Sequence, residues 1–420
     1  MCIPGRAKPL LEKVSLTIEA GDVHGIRGES GTGKTTLLHT VSGLVPWHRP
    51  GRVQGLVEIA GEAVLDLDPG QRSHLVSTCL DRPGSQLFLR TPREELAAAS
   101  RLHGSTPLWR EIEQCLAIGP LMDRRSTELS SGERQRVALA VTLAASPRPA
   151  LLDEPLAHLD DDATHGLVQL LSRIRETGGS VLLTEHAGWR LGEAVGRWSA
   201  VEKGSTHPCG PPQSPVVPSP AHEPGPSPVL STRKLTVSRG GRRLIEHANI
   251  ELRSGEIVLI SGRNGSGKST LAEVVCGLRK PAEGTVTRHG PTALMMPTAE
   301  LQLFATSVAR EVRSSAGREA EARVLRRHRL EHLAARPPWT LSRGERQRLV
   351  HAALDLQQPA TMVVDEPAQG LGPDDLVRLV DLVHRRAARG RCYLIISHRE
   401  ELATAAHRHL RISDRRLVPC

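Results

Sequence analysis

Two stretches of the chain have the residue types and spacing needed to hold a chain of phosphates. Gly28-Glu29-Ser30-Gly31-Thr32-Gly33-Lys34-Thr35 and Gly262-Arg263-Asn264-Gly265-Ser266-Gly267-Lys268-Ser269 both fit G-x-x-x-x-G-K-[ST]. Glycines let the backbone curl so that its N–H groups point inward at phosphate oxygens, and the helix that follows adds the positive end of its dipole. The expected phosphate contacts are Gly28, Ser30, Gly31, Gly33, Lys34, Thr35 and Thr36 in the first stretch. In the second they are Gly262, Asn264, Gly265, Gly267, Lys268, Ser269 and Thr270. The lysines reach the distal phosphates, while the hydroxyls of Thr35 and Ser269 suit a Mg²⁺ ion.

Two acidic pairs, Asp153-Glu154 and Asp365-Glu366, end short apolar runs. Asp in that place suits Mg²⁺ and Glu suits polarising an attacking water. His186 and His398 follow the next apolar run in each half, where an imidazole can touch a terminal phosphate or the water. Leu129-Ser130-Ser131-Gly132-Glu133 and Leu341-Ser342-Arg343-Gly344-Glu345 open helical stretches. A serine beside a glycine there is an ordinary cap, and it also presents a hydroxyl and N–H groups to an anion.

These pieces recur in order, which defines a duplicated domain. The glycine loops are offset by 234 residues, and the serine, acidic and histidine motifs by 212, so the second copy is shorter between them. Short continuous apolar runs alternating with helices predict a buried, mainly parallel sheet in an α/β fold. The expected division is a first domain at 1–203, a proline-rich exposed linker at 204–229 and a second domain at 230–420. The edge strand read over 229–238 maps mostly upstream of Met1 in the first copy, so either that copy lacks it or the true start lies further upstream, and the second is the expectation.

Composition narrows the classes further. The 420 residues carry a net charge of +9, but Lys supplies only seven of the 55 cations, and the charge is spread along the chain. Arg-rich usage of this kind is compositional. With eight aromatic residues in all, base-stacking surfaces for single strands are not expected, nor is a nucleic-acid partner. Seven scattered cysteines without a C-x-x-C pair argue against a disulfide framework or zinc site and suggest a reducing cytoplasm. No apolar run of about 18 residues is present to span a bilayer.

Taken together, the glycine loops, the LS-x-G-E stretches followed by Arg134-Gln135-Arg136 and Arg346-Gln347-Arg348, the acidic pairs and the histidines resemble the ATP-binding cassette (ABC) ATPases, twice over essentially the whole chain. The resemblance implies two P-loop domains, each with a mainly parallel sheet, a helical subdomain and an antiparallel β edge. It implies ATP and Mg²⁺ as cofactors, and halves that pair head to tail. One site would set Lys34, Thr35, Asp153, Glu154 and His186 against Ser342 and Gly344. The other would set Lys268, Ser269, Asp365, Glu366 and His398 against Ser130 and Gly132.

The stretch Gln86-Leu87-Phe88 with Thr91-Pro92-Arg93-Glu94-Glu95-Leu96, repeated around Gln302-Leu303-Phe304, looks like that of energy-coupling-factor (ECF) ATPases. That likeness implies a cytoplasmic subunit, peripheral on the inner face of the membrane, energising uptake of a vitamin or metal ion. Its partners would be transmembrane scaffold and substrate-binding subunits. The alternatives are a soluble tandem ABC protein acting on ribosomes and a peptide-type importer ATPase.

Several positions depart from the family pattern. Asp81 and Pro297 stand where a Mg²⁺-touching glutamine is expected, and Asp81 can still approach the metal. Ile3 and Arg239 stand at the adenine-stacking position, where Arg239 can lay its guanidinium on the base. The loop His158-Leu159-Asp160 becomes Gly370-Leu371-Gly372, and Ser131 and Arg343 replace a glycine. Unequal hydrolysis at the two sites is the expectation.

Overall fold

The apolar runs Ala-Leu-Leu-Asp at 150–153 and Thr-Met-Val-Val-Asp at 361–365 are buried at every position, the pattern of a strand covered on both faces. The structure is a computed structural model. It describes all residues except 3–8, 30, 82, 105–107, 145–148, 314–316 and 369–370, and except the side chains of Pro83, His103, Glu300, Arg343 and Glu400. The chain divides into unit one, Met1–Ser214, and unit two, Pro215–Cys420.

In unit one the sheet contains β1 (Val23–Arg27), β2 (Ser77–Cys79), β3 (Ala150–Asp153), β4 (Val181–Thr184), β5 (Arg197–Glu202) and β6 (Ser205–Cys209). Their order is β2-β3-β4-β1-β5-β6, parallel except for the last pair. The helices are α1 (Lys34–Val41), α2 (Pro92–His103), α3 (Trp109–Cys115), α4 (Ser131–Ala144) and α5 (Asp161–Glu176). Local chemistry sets their starts. Thr91 and Glu94 close a reciprocal capping box with Pro92 in the first turn of α2, and the Asp160 carboxylate accepts from Ala163 N at the head of α5.

Unit two repeats the arrangement. Its strands are β7 (Pro228–Arg239), β8 (Arg242–Ala248), β9 (Glu251–Arg253), β10 (Ile257–Gly262), β11 (Glu283–Arg288), β12 (Thr292–Met295), β13 (Thr361–Asp365), β14 (Cys392–Ile396), β15 (Arg408–Ser413) and β16 (Arg416–Pro419). The core sheet runs β12-β13-β14-β10-β15-β16, parallel apart from β15–β16. Its helices include α6 (Lys268–Val275), α7 (Arg318–Arg327), α8 (Arg343–Leu356) and α9 (Pro373–Ala387). In both units the glycine-loop strand lies between two parallel neighbours in the middle of the sheet. That places the loop at the carboxyl ends of the strands, where α/β sheets hold ligands.

Among the described residues the antiparallel edge is well developed only in unit two, where β7 pairs with β8, β9 and β11. In unit one the described pairings of this kind are the antiparallel bridge between Cys2 and Arg52 and the short pair Glu58–Ile59 with Glu62–Ala63. The proline-rich stretch expected to be an exposed linker is partly built into the units. Ser205–Cys209 satisfies the outer edge of β5, Val217 is buried in the unit-two core, and the His222 carbonyl lies 2.9 Å from His407 Nε2. An open strand edge and a core gap each gain from an extended chain laid along them.

Candidate functional site

Each glycine loop passes from β1 or β10 into α1 or α6. The residue before the lysine needs glycine twice over. Gly33 and Gly267 have φ of 109° and 101°, and a Cβ on Gly267 would come within 2.7 Å of Leu244. On Gly33 it would come within 3.1 Å of Leu10 and Leu11. The lysines are buried. Lys34 Nζ donates to Gly28 O at 2.7 Å and Glu29 O at 3.0 Å, and Lys268 Nζ donates to Gly262 O at 2.5 Å and Arg263 O at 3.1 Å. Burial lowers the Lys34 amine below its ordinary value, against the pull of the Glu154, Asp153, Glu185 and Glu29 carboxylates. Ser30 lies outside the described residues.

The structure brings the acidic pairs to these loops. Thr35 Oγ1 donates to Asp153 Oδ1 at 3.1 Å, and the Thr184 hydroxyl donates to the same oxygen. The Ser269 hydroxyl bonds Asp365. Asp153 Oδ2 and Asp365 Oδ1 are buried with no hydrogen-bond partner. A buried carboxylate oxygen left bare beside a hydroxyl is costly unless something positive meets it, so these residues fit a hard cation. Among the described residues no cluster of three or more His, Cys, Asp or Glu could hold a metal by itself. A cation here would therefore share its coordination with phosphate oxygens. Burial is the main cause that raises both aspartates to about 7. The Glu154 charge adds to it at Asp153, as does that of Asp81, which places Asp81 near the first site. Pro297 offers no side-chain ligand at the second.

Glu154 and Glu366 have φ of 49° and 50°, a left-handed conformation uncommon for glutamate, repeated in both copies. Backbone bonds from Glu154 N to Thr184 O and from Glu366 N to Ile396 O hold it in place. The turn sets each glutamate against its histidine: His186 Nε2 is 3.3 Å from Glu154 Oε1, and His398 Nδ1 is 3.0 Å from Glu366 Oε1. Ser397 Oγ also donates to Glu366 Oε2, and the pull of His398 and Lys268 outweighs burial, so the Glu366 carboxyl lies below its usual range. Unit one has Glu185 at the matching place. It is buried and accepts from Leu156, His186 and Ala187 N–H groups, and burial raises its carboxyl.

The serine motifs form caps within their own units. Ser130 and Glu133 exchange bonds at the head of α4, as do Ser342 and Glu345 at the head of α8, and Gly132 and Gly344 are buried. Arg239 sits at the exposed tip of the β7–β8 hairpin. Asp160 is spent on capping α5, and Gly372 precedes α9 without a side-chain cap. Ile3, Arg82, Gln369 and Gly370 lie outside the described residues.

Sequence reasoning gave no role to Glu185, Thr184 or Ser397. The contrast of Thr184-Glu185-His186 with Ile396-Ser397-His398 was the available signal. Gln86 and Gln302 have a structural role. Gln86 accepts from Leu80 N and donates to Thr78 O, and Gln302 does the same to Met296 N and Leu294 O. Each pins the loop that follows an edge strand.

Comparisons with known proteins agree with this geometry. The sequence profile of the ABC transporter family matches residues 11–157 and 245–369, more than half of the chain. A protein of Methanosarcina mazei named as an ABC transporter ATP-binding protein is 28% identical, covering 98% of this chain and 91% of its own length. One from Streptomyces avermitilis with the same name is 29% identical, covering 96% and 89%. A Bacillus subtilis protein named for HMP/thiamine import is 25% identical, covering 95% and 85%. Among solved structures, an RNase-L inhibitor superposes with a TM-score of 0.72 at 20% identity, covering 96% of this chain and 86% of that one; it shares the fold. The chain belongs to the ABC transporter family and is an ATPase with duplicated domains.

The raised aspartates would make cation binding here pH-dependent. The folded chain keeps these protons to about pH 7, while the unfolded chain releases them near 3.8. Stability therefore falls as pH rises through that window, because the folded state binds more protons there. A cation at the carboxylates reverses the loss above pH 7. The rise in Tm on adding Mg²⁺ with nucleotide is expected to be larger at pH 8 than at pH 6. Asp153→Asn with Asp365→Asn should remove the difference; a rise independent of pH in the wild-type chain refutes the account.

Proposed function

We propose that the chain binds and hydrolyses ATP at two sites and energises a membrane uptake system, of the ECF kind, for a vitamin or metal ion. The glycine loops take the phosphates through their N–H groups, and Lys34 and Lys268 turn from loop carbonyls to the distal phosphates. Thr35 with Asp153, and Ser269 with Asp365, would hold Mg²⁺, which neutralises charge on the phosphates. Asp81, whose charge acts on Asp153, would join the first set. Glu154 and Glu366 take the proton of an attacking water, and His186 and His398 fix their carboxylates. By the family's arrangement, Ser342 with Gly344 and Ser130 with Gly132 would close the two sites from the opposite half. Arg239 is the candidate for stacking on adenine in the second.

One observation supports a docked role above all. The chain contains only two phenylalanines, and both are exposed, Phe88 at 83% and Phe304 at 84%, in equivalent loops. The same loops are pinned by Gln86 and Gln302, so the rings are presented from a fixed base. Exposed aromatics on a rigid loop are typical of contact surfaces. Among the described residues no helix is long and apolar enough to cross a membrane, so transport would need membrane-spanning partners. The names of the relatives point the same way.

The test is purification of the tagged full chain from detergent-solubilised membranes of its own cells. Polytopic partners should co-purify with the wild-type chain. Phe88→Ser with Phe304→Ser should remove them and leave ATP binding intact. Co-sedimentation with ribosomes in their place would overturn the transport reading.

A further inference from the structure

Unit two contains a second polar centre with no counterpart among the described residues of unit one. Asp355, near the end of α8, is fully buried among guanidiniums. Arg386 and Arg391 make short bonds to its two oxygens, and Arg327 Nη1 lies 3.1 Å from Oδ2. A cavity of about 420 Å³ opens beside it, between the C-terminal ends of α7 and α9. Its wall carries Arg323, Arg327, Arg386, Arg389 and Arg391 against the single carboxylate of Asp355, with Gln358 and apolar residues completing the lining. Arg323 and Arg389 are exposed, and their guanidiniums make no hydrogen bond or ion pair among the described residues.

The duplication supplies an internal control. At the positions 212 residues earlier, His328, His351, Asp355 and Arg386 become Leu116, Leu139, Leu143 and Ile174, all buried core. Gly166, which lets α5 meet the end of α3, becomes Arg378 on α9. The fold thus closes this region with aliphatic side chains and needs none of the charges. A buried ionic network is seldom more stable than such packing, so stability does not account for it.

From this geometry we infer that unit two binds a phosphate-bearing small molecule in the arginine-lined cavity. One carboxylate leaves an excess of positive charge that a monovalent anion could not offset, and guanidinium forks match phosphate oxygens in pairs. The cavity falls in the size range of small-molecule sites, roughly 300–1,000 Å³. Among the described residues no aromatic side chain lines it to stack a base, which disfavours a nucleic-acid strand. The site is separate from the glycine loops, so this inference goes beyond the nucleotide reading and does not depend on it.

The test uses the full chain carrying Lys34→Ala and Lys268→Ala, in EDTA at about 0.15 M salt to suppress diffuse attraction. Titration calorimetry with inorganic tripolyphosphate should show saturable binding. Adding Arg323→Ala and Arg389→Ala should weaken it by about tenfold or more with an unchanged Tm, since both side chains are exposed. Undiminished affinity in that variant overturns the site, as does the absence of saturable binding. Tighter binding of a short single-stranded RNA than of tripolyphosphate, lost with the same two arginines, would assign the cavity to nucleic acid instead. Because the loop lysines are already removed, failure here leaves the ATP reading standing.

Discussion

Glu366→Gln lowers steady-state ATP turnover by about 10²-fold, the scale of a lost general base, and Glu154→Gln lowers it by a clearly smaller factor. Glu366 is held on both oxygens, by His398 and by Ser397, and stays ionised below the usual carboxylate range. Glu154 shares its site with Glu185, a buried carboxyl whose matching residue in unit two is Ser397. Like charges gathered there oppose an anionic substrate and an attacking oxygen that gains negative charge. Pro297 weighs the other way, since the second site lacks a ligand there, but Mg²⁺ readily keeps a water in such a place. The measurement is turnover of the purified full chain and both variants at saturating ATP and Mg²⁺. Equal factors would remove the basis for unequal sites.

Some of this was readable from residue order because the chemistry leaves little freedom. A backbone that wraps a phosphate needs glycine at fixed spacing, and a buried parallel strand needs an unbroken apolar run, so Gly28–Thr35 and Ala150–Asp153 identify themselves. The duplication then made each motif a control for the other. What stayed hidden depends on contacts distant in sequence or on backbone angles. Nothing in Asp153-Glu154 reveals that the glutamate sits at a φ of 49°, because the bond that holds its N–H goes to Thr184 on the neighbouring strand. Gln86 and Gln302 were legible as a repeated pair but not as loop pins, since their partners are main-chain atoms. The proline-rich stretch read as free chain because composition reports donors lost, and says nothing of an open strand edge waiting at β5.

Gly166→Ala is expected to destabilise unit one by about 3 kcal/mol, the upper range for overpacking, and to lower its Tm by roughly 6–12 °C. The sign is what makes the prediction informative. In the interior of a helix, glycine to alanine ordinarily gains up to about 1 kcal/mol, because alanine has less backbone freedom to lose. At Gly166 the added Cβ would lie 1.8 Å from the carbonyl oxygen of Cys115, the last residue of α3, and backbone cannot step aside as a side chain can. Either α3 moves off α5, opening the core around Ile112 and Leu116, or the helix bends. Arg378→Ala, the matching change on α9, removes only an exposed side chain paired with Asp375 at 3.1 Å and should stay within about 0.5 kcal/mol. Thermal melts followed by circular dichroism read both variants. A stabilised Gly166→Ala chain would mean that α3 and α5 do not meet as described. The arginine-lined cavity of unit two would then have no closed apolar contact as its counterpart in unit one.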